Sequence, residues 1–406
     1  PSCKSMRRMV ALTLKTGALV SKVLFETSSS PSSSGPKAIG VEYLDAPQLY
    51  RGDSEGDENA VYEKVQVYAK REIILSAGAF NTPQLLMLSG IGPRAHLESV
   101  GLDVLVDLPG VGQNLQDRYE IPVIVKKRNF LRNKDINFPA LVNCNFDPED
   151  PDFEYGDCYQ TWLSRGKGIY SQPGAFSSFV KRSSEFTMNL NVVETSELED
   201  PDLYIFGVGG TFKGYYPGYS EENFTPASQF TWVVLKGHSH NSGLVELRSN
   251  DPRDTPRINF KYYGDPAAGV MPSDEHLEDL NAVVKGIKLA RAAIRSSNNF
   301  LFPFLAKYDE VWPGREVDTD DELREFAMNE SWGHHASCTA KIGVKEDPMA
   351  VLDSNFNVHN TQGLRVVDAS VFPEIPGLFP TVAIAMLSEK AADVIMEDAR
   401  RVDQAE

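Results

Sequence analysis

Two adjacent histidines stand in a segment of small and polar residues towards the C-terminal end of the sequence. His334 and His335 lie within the run SWGHHASCTAKIG of residues 331–343. A neutral imidazole accepts a proton near neutral pH, since its unperturbed pKa is about 6.5. Small neighbours can place one such ring against a bound molecule. The segment is therefore the candidate site of proton transfer.

Two further segments have a pattern that suits ligand binding. The run GLRVVDAS of residues 363–370 is an apolar strand that ends in an acid, Asp368, and polar groups at a strand tip suit a bound nucleotide. Far upstream, the run GAFNTPQLLMLSGIG of residues 78–92 follows a strand and predicts a helix. Thr82 is a suitable N-cap, Pro83 suits the first helical position, and Gly90 can end the helix in a left-handed conformation.

These three segments resemble signatures of the glucose-methanol-choline (GMC) oxidoreductases, flavoenzymes that oxidise alcohols. Residues 335–343 look like the histidine-containing signature, residues 363–370 resemble the terminal strand that contacts the flavin, and residues 78–92 fit the second family signature. One motif alone would be weak support, but three in order span most of the chain. The sequence is identified as a member of this family.

The resemblance implies a cofactor and a reaction. The cofactor is FAD, and the reaction removes a hydroxyl proton and a hydride from the CH-OH group of a small-molecule alcohol. His335 matches the position of the catalytic base, and His334 is expected to orient the loop. Electrons would pass to oxygen or another acceptor, and a choline dehydrogenase-like activity is within the expected range.

The resemblance also assigns residues to FAD. Val20 matches a position whose backbone contacts the adenine edge, while Asp368 and Ala369 match residues near the pyrophosphate and the ribityl chain. Phe379 and Pro380 would line the pyrimidine side of the flavin ring. A plain buried strand valine and an acid that caps a helix are the alternative interpretations of Val20 and Asp368.

One position departs from the family pattern. Family members usually have a histidine or asparagine eleven residues after the acid of the terminal strand, but here that position is Phe379. Phenylalanine neither accepts a proton nor donates a hydrogen bond. This leaves room for an aromatic alcohol as substrate, or for a flavin-containing lyase or cyclase without redox turnover. From another class of function, the chain alone could be a non-catalytic subunit.

The phosphate-binding unit of a dinucleotide domain is not found in the sequence. Such a unit is a strand, a glycine-rich turn and a helix. The glycine-rich residues 110–112 and 207–210 lack the third glycine or the helix and are interpreted as loops. The chain therefore resembles a C-terminal portion of a family member, with the missing N-terminal segment expected on the same polypeptide or on a second chain.

Composition limits the classes of partner. The chain is 41% hydrophobic and 24% charged, which is typical of a soluble globular protein. Its formal net charge of -17 disfavours nucleic acid and anionic membrane surfaces, which are polyanions. No apolar run approaches the length of a membrane span. The compartment, secreted or cytoplasmic, stays open.

The pattern of elements predicts a divided FAD domain. Residues 1–120 and 327–406 are predicted to form an incomplete α/β, Rossmann-like FAD-binding domain of the GMC type. Residues 121–326 lose the βα alternation and predict an α+β substrate domain with an antiparallel sheet, helices on one side and a helix over 274–293.

Metal binding is not expected from spacing. Adjacent histidines chelate one ion poorly, and no third ligand stands near them in sequence, so the prediction is no metal. Cys3, Cys144, Cys158 and Cys338 show neither paired metal spacing nor the density of a disulfide scaffold. All four are predicted to be buried thiols.

Overall fold

The computed structural model divides the chain into two compact units. It describes residues 12–26, 35–57, 59–129, 134–137, 144, 150–171, 174–184, 200–219, 228–265, 269–300 and 307–405. The first unit consists of Pro1–Gln116, Ser242–Phe260 and Ala336–Glu406, and the second of Asp117–Asn241 and Lys261–His335. The segment 242–260, which the sequence-based division places in the middle domain, thus clusters with the first unit.

The described residues include both strands and α-helices. The strands are β1 Ala18–Phe25, β2 Ala38–Asp45, β3 Glu63–Tyr68, β4 Ile73–Leu75, β5 Ile91–Gly92, β6 Val106–Asp107, β7 Gln113–Leu115, β8 Tyr119–Asn129, β9 Lys134–Asp135, β10 Ala175–Lys181, β11 Leu203–Gly209, β12 Gln229–Lys236, β13 Gly243–Glu246, β14 Arg257–Asn259, β15 Lys307–Trp312 and β16 Leu364–Val366. The α-helices are α1 Gly78–Leu88, α2 Arg94–Ser99, α3 Asp157–Arg165, α4 Asp274–Phe300, α5 Asp320–Glu330 and α6 Thr381–Ala405.

The first unit has the α/β character predicted for the FAD domain. Strands β1, β2 and β3 form an antiparallel sheet, and every second residue of β2 is buried, as expected for a half-buried strand. Strands β4 and β16 pair in parallel, and β4 leads into α1. The core beneath them includes Leu86, Met87, Ile91, Leu97 and Val111, which are fully buried.

The start of α1 differs from the prediction. The helix begins at Gly78, so Thr82 lies inside it and the prediction of Thr82 as the N-cap is wrong. Pro83 also lies inside the helix and has no N–H for the carbonyl of Ala79 four residues earlier. The hydroxyl of Thr339 donates to that carbonyl at 2.7 Å instead. A side chain from the histidine signature thus compensates for the proline.

The second unit contains the predicted antiparallel sheet. Its order is β10-β11-β12-β8-β15, with β9 paired to β8, and all pairings are antiparallel. Helix α4 begins where predicted and continues to Phe300. Its apolar stripe is buried among residues of the sheet, in one cluster that includes Leu280, Val284, Ile287 and Ala290. Burial of this stripe on the sheet is the main hydrophobic contribution of the helix.

Local sequence explains the start of α5. The hydroxyl of Thr319 accepts the backbone N–H of Glu322 at 3.3 Å, and the carboxylate of Glu322 accepts the backbone N–H of Thr319 at 2.9 Å. This reciprocal arrangement is a capping box. It fixes the beginning of the helix that leads directly into the histidine segment.

Some smaller predictions need correction. Cys144 and Cys158 form a disulfide with their Cα atoms 5.6 Å apart, so the prediction of buried thiols is wrong for this pair. Cys338 is buried as predicted, and Cys3 lies outside the described residues. Residues 207–209 end strand β11 and are not a loop, because they pair with β12.

Within the residues that the structure describes, none of the helices combines the length and the apolarity that crossing a bilayer needs.

Candidate functional site

The histidine segment is held against the beginning of β8. The backbone N–H of Glu120 donates to the carbonyl of Trp332 at 2.8 Å, and the N–H of Trp332 donates back to Glu120 at 3.0 Å. This antiparallel bridge brings residues 332–335 next to residues 117–120, both within the second unit. Three charged side chains, of Asp117, Arg118 and Glu120, are fully buried there. Such side chains are almost never buried without partners, so they mark the site.

Asp117 fixes the backbone of His335. Its Oδ1 accepts the N–H of Arg118 at 2.7 Å and the N–H of His335 at 2.8 Å, and its Oδ2 accepts the hydroxyl of Tyr262 at 2.9 Å. Burial raises the pKa of Asp117, and these donors oppose the rise. The carboxyl group is thus a buried clamp between two segments far apart in sequence.

The carboxylate of Glu120 lies beside both imidazoles. Its Oε1 is 3.0 Å from Nδ1 of His334 and 3.3 Å from Nδ1 of His335. The side chains of Glu120 and His335 are buried, whereas 34% of the His334 side chain is exposed. The two rings are 3.9 Å apart between centroids. His334 therefore lies at the solvent side and His335 at the inner side of a common cluster.

The pKa values of the two histidines are shifted in opposite directions. Burial lowers the pKa of His335 to about 3, and the nearby positive charges of His334 and Arg118 act in the same direction. Burial also lowers the proton affinity of His334, but the neighbouring carboxylate of Glu120 outweighs it and raises the pKa overall. Burial raises the pKa of Glu120 itself. The lowered pKa of His335 leaves this imidazole neutral near pH 7.

Aromatic side chains surround the exposed histidine. The ring of Tyr215 lies 4.9 Å from that of His334, and Trp332 is stacked on His334 at 5.7 Å. Phe212 contacts Trp332 edge-on at 5.2 Å. These rings form an apolar wall next to the imidazoles, and their π-faces can contact a flat or cationic group.

A second cluster lies in the first unit, where β16 ends. Oδ2 of Asp368 accepts the N–H of Gly78 at 2.9 Å and the hydroxyl of Thr82 at 2.6 Å. Its Oδ1 accepts the N–H and the hydroxyl of Ser370 at 2.7 and 2.5 Å. The carboxylate thus joins the tip of β16 to the beginning of α1.

This strand end fits a dinucleotide in outline. The carboxyl ends of the parallel strands β4 and β16 and the N-terminus of α1 meet there, which is where open α/β sheets bind ligands. Gly78 has a φ of +82°, and a Cβ built on it would meet no atom within 4 Å, so the space beside its Cα is open. The local architecture therefore fits FAD.

The other predicted FAD residues belong to the same unit. Val20 is half-buried in β1 opposite Tyr43, and Ala369 begins a short 3₁₀ turn after Asp368. Phe379 is 42% exposed, and Pro380, just before α6, is buried. Their contacts with FAD stay predictions.

The sequence analysis missed Asp117, Glu120 and Tyr262. The two acids are 218 and 214 residues from the histidines that they contact, and spacing cannot show such a contact. A usable signal is present, since charged residues immediately precede the apolar run IPVIV of β8. A charge at the start of a buried strand requires a partner. Glu120, which is distant from the histidines in sequence, is therefore their neighbour in the folded chain.

Comparisons with known proteins agree with this architecture. Family models described as GMC oxidoreductase match residues 4–120 and 239–388. An oxygen-dependent choline dehydrogenase from Pseudomonas fluorescens is 32% identical over 96% of this chain and 57% of its own length. One from Stenotrophomonas maltophilia is 31% identical over 95% of the chain and 57% of its own length. The chain thus spans little more than half the length of these relatives.

Solved structures show the same fold. An FAD-dependent oxidoreductase from Chaetomium thermophilum has a TM-score of 0.63 at 24% identity and is matched over 95% of this chain and 61% of its own. A formate oxidase from Aspergillus oryzae has a TM-score of 0.67 at 21% identity, over 95% of this chain and 60% of its own. At such identities the likeness supports the fold alone.

Proposed function

Because the chain belongs to the GMC oxidoreductase family, we propose that the complete protein oxidises the CH-OH group of an alcohol with FAD, and that His335 accepts the hydroxyl proton. The observation that carries this proposal is the placement of His335. It is the histidine of the family signature, its side chain is buried, and its backbone is held by the carboxylate of Asp117.

The side chains divide the work of proton transfer. Nδ1 of His335 faces Glu120 at 3.3 Å, so we assign proton acceptance to Nε2, the other ring nitrogen. Asp117 keeps the histidine backbone in position, and Oε1 of Glu120 lies near the Nδ1 atoms of both rings. FAD, when bound, supplies the acceptor for the hydride from the carbinol carbon, and the product is an aldehyde or ketone. Oxygen or another acceptor then takes the electrons.

The surroundings of His334 favour a particular class of alcohol. Tyr215 and Trp332 offer aromatic faces, and the buried acid Glu120 lies behind them. Aromatic faces contact both planar rings and quaternary ammonium groups well. We therefore propose an alcohol that carries an aromatic ring or a cationic head group. The relatives named choline dehydrogenase take their name from choline, an alcohol with a cationic head group.

The test uses the complete protein with FAD, mixed with substrate without oxygen. Benzyl alcohol and choline should bleach the flavin absorbance faster than a plain aliphatic alcohol of similar size. Replacing His335 by glutamine should slow bleaching by about 10²–10⁴-fold, the usual contribution of a general base. His240→Gln is the matched control, since His240 also contacts a buried acid, Asp279, and should bleach at the unaltered rate.

Two outcomes would replace the proposal. Phe379, at a position where the family usually has a polar residue, keeps the lyase or cyclase alternative open. Product formation without bleaching would support that alternative. A complete protein that purifies without flavin colour would support a non-catalytic role.

A further inference from the structure

The cluster of Glu120, His334 and His335 also has the donor set of a metal centre. One ring nitrogen from each histidine and one oxygen of Glu120 all lie within 4.8 Å of one another. Two imidazoles and one carboxylate are a ligand set that Zn²⁺ uses when its fourth position is open. Among the described residues, the structure brings these three potential metal ligands together in one place.

Two of the three distances between donor atoms are close to the edge of a tetrahedron around an ion. Zn–N and Zn–O bonds of about 2.0–2.1 Å at the tetrahedral angle separate neighbouring donor atoms by about 3.3–3.4 Å. Oε1 of Glu120 is 3.0 Å from Nδ1 of His334 and 3.3 Å from Nδ1 of His335. Two of the three donor pairs thus have nearly the spacing that an ion requires, and the third pair, the two ring nitrogens, is separated by at most 4.8 Å.

Glu120 gives independent support for a cation. It is fully buried, and neither of its carboxylate oxygens accepts an aligned hydrogen bond from the described residues. A buried carboxylate without such donors is costly, and a bound cation would remove the cost. The partly exposed ring of His334 provides a route from solvent to the cluster.

We propose that Glu120, His334 and His335 bind one divalent cation of the imidazole-preferring class, represented by Zn²⁺. The two Nδ1 atoms and Oε1 of Glu120 are the protein ligands, and water fills the fourth position. Since His335 is also the base in the proposed function, an ion bound here would compete with turnover. The binding itself does not depend on that function.

The test is a titration of the complete protein with Zn²⁺, monitored by calorimetry, and with Co²⁺, monitored by visible absorbance. The unaltered protein should bind one ion, and the Co²⁺ bands should have the intensity of four-coordinate geometry. Glu120→Gln and His334→Gln should each weaken Zn²⁺ binding at least tenfold. The matched control is His240→Gln, which removes an equally exposed histidine beside a buried acid and should change binding less than twofold.

Three results would overturn the proposal. The first is that Zn²⁺ does not bind saturably in a one-to-one ratio. The second is that both site variants keep the Zn²⁺ affinity of the unaltered protein, and the third is that His240→Gln loses as much affinity as they do. Should Glu120→Gln fail to fold by circular dichroism, the more exposed His334→Gln decides the result alone. Because these readouts do not use turnover, binding in a protein that lacks alcohol oxidation would still support the metal site.

Discussion

Replacing Asp117 by alanine should destabilise the second unit strongly. The carboxylate accepts two buried backbone N–H groups, of Arg118 and His335, and the hydroxyl of Tyr262. Removing the acceptor from a buried donor costs about 1–3 kcal/mol per donor. Removal of a buried charge offsets part of this loss. The net expected loss is about 2–4 kcal/mol of unfolding free energy.

Asparagine is the matched control at this position. Asp117→Asn keeps an oxygen that can accept both N–H groups, and its amide can donate to the hydroxyl of Tyr262. We therefore expect a loss below about 1 kcal/mol, in the range of one neutral hydrogen bond.

Urea unfolding followed by circular dichroism measures both variants. The urea concentrations at the unfolding midpoints of the two variants should differ, while the dependence of the unfolding free energy on urea concentration stays the same. If the unfolding free energy of the alanine variant lies within about 0.5 kcal/mol of that of the unaltered protein, the usual range of a surface substitution, the hydrogen bonds of Asp117 do not stabilise the unit as proposed. An asparagine variant as unstable as the alanine variant would show that charge, and not hydrogen bonding, stabilises the site.

Three further predictions concern stability. Thr319→Ala removes the capping box of α5 and should cost about 0.5–2 kcal/mol, and an unchanged thermal midpoint would contradict this. The hydrogen bonds from Arg253 lower the pKa of Asp251, so this carboxylate stabilises the fold above the unfolded pKa of about 4 and the effect is lost as pH falls through the lower folded pKa. Asp251→Asn should therefore cost at most about 1 kcal/mol at pH 7 and nothing in strong acid, as thermal melts across pH would show. Gly333→Ala places a Cβ 2.5 Å from Oδ2 of Asp117 and should cost about 1–3 kcal/mol in urea unfolding, whereas a tolerated alanine would mean that this backbone can move.

The fold class was predictable because its signals are local. The loss of βα alternation over residues 121–326 indicated the antiparallel sheet, and the spacing of apolar residues indicated α4. The start of a helix was less predictable where the side chain that accepts its first N–H groups is distant in sequence. Thr319 and Glu322 form a cap within four residues, whereas the carboxylate that accepts the N–H of Gly78 is 290 positions away.

The candidate site was predictable only in part for the same reason. The histidine signature marked His335, but the acids that surround it lie on β8, and no short-range pattern joins the two segments. Their contact depends on the bridge between Glu120 and Trp332 and on the pairing of whole strands. Burial of charge at the start of a strand is the general signal that would have indicated these residues.

The parallel pairing of β4 with β16 has a consequence for biosynthesis. Gly78 leaves the ribosome 290 residues before Asp368, which at typical translation rates of about 5–20 residues per second is a delay of about 15–60 s. During that interval the nascent strand β4 has an open edge and α1 lacks the side chain that caps it. Chaperones that shield strand edges are therefore expected to matter more for the yield of this protein than for one whose neighbouring strands are consecutive.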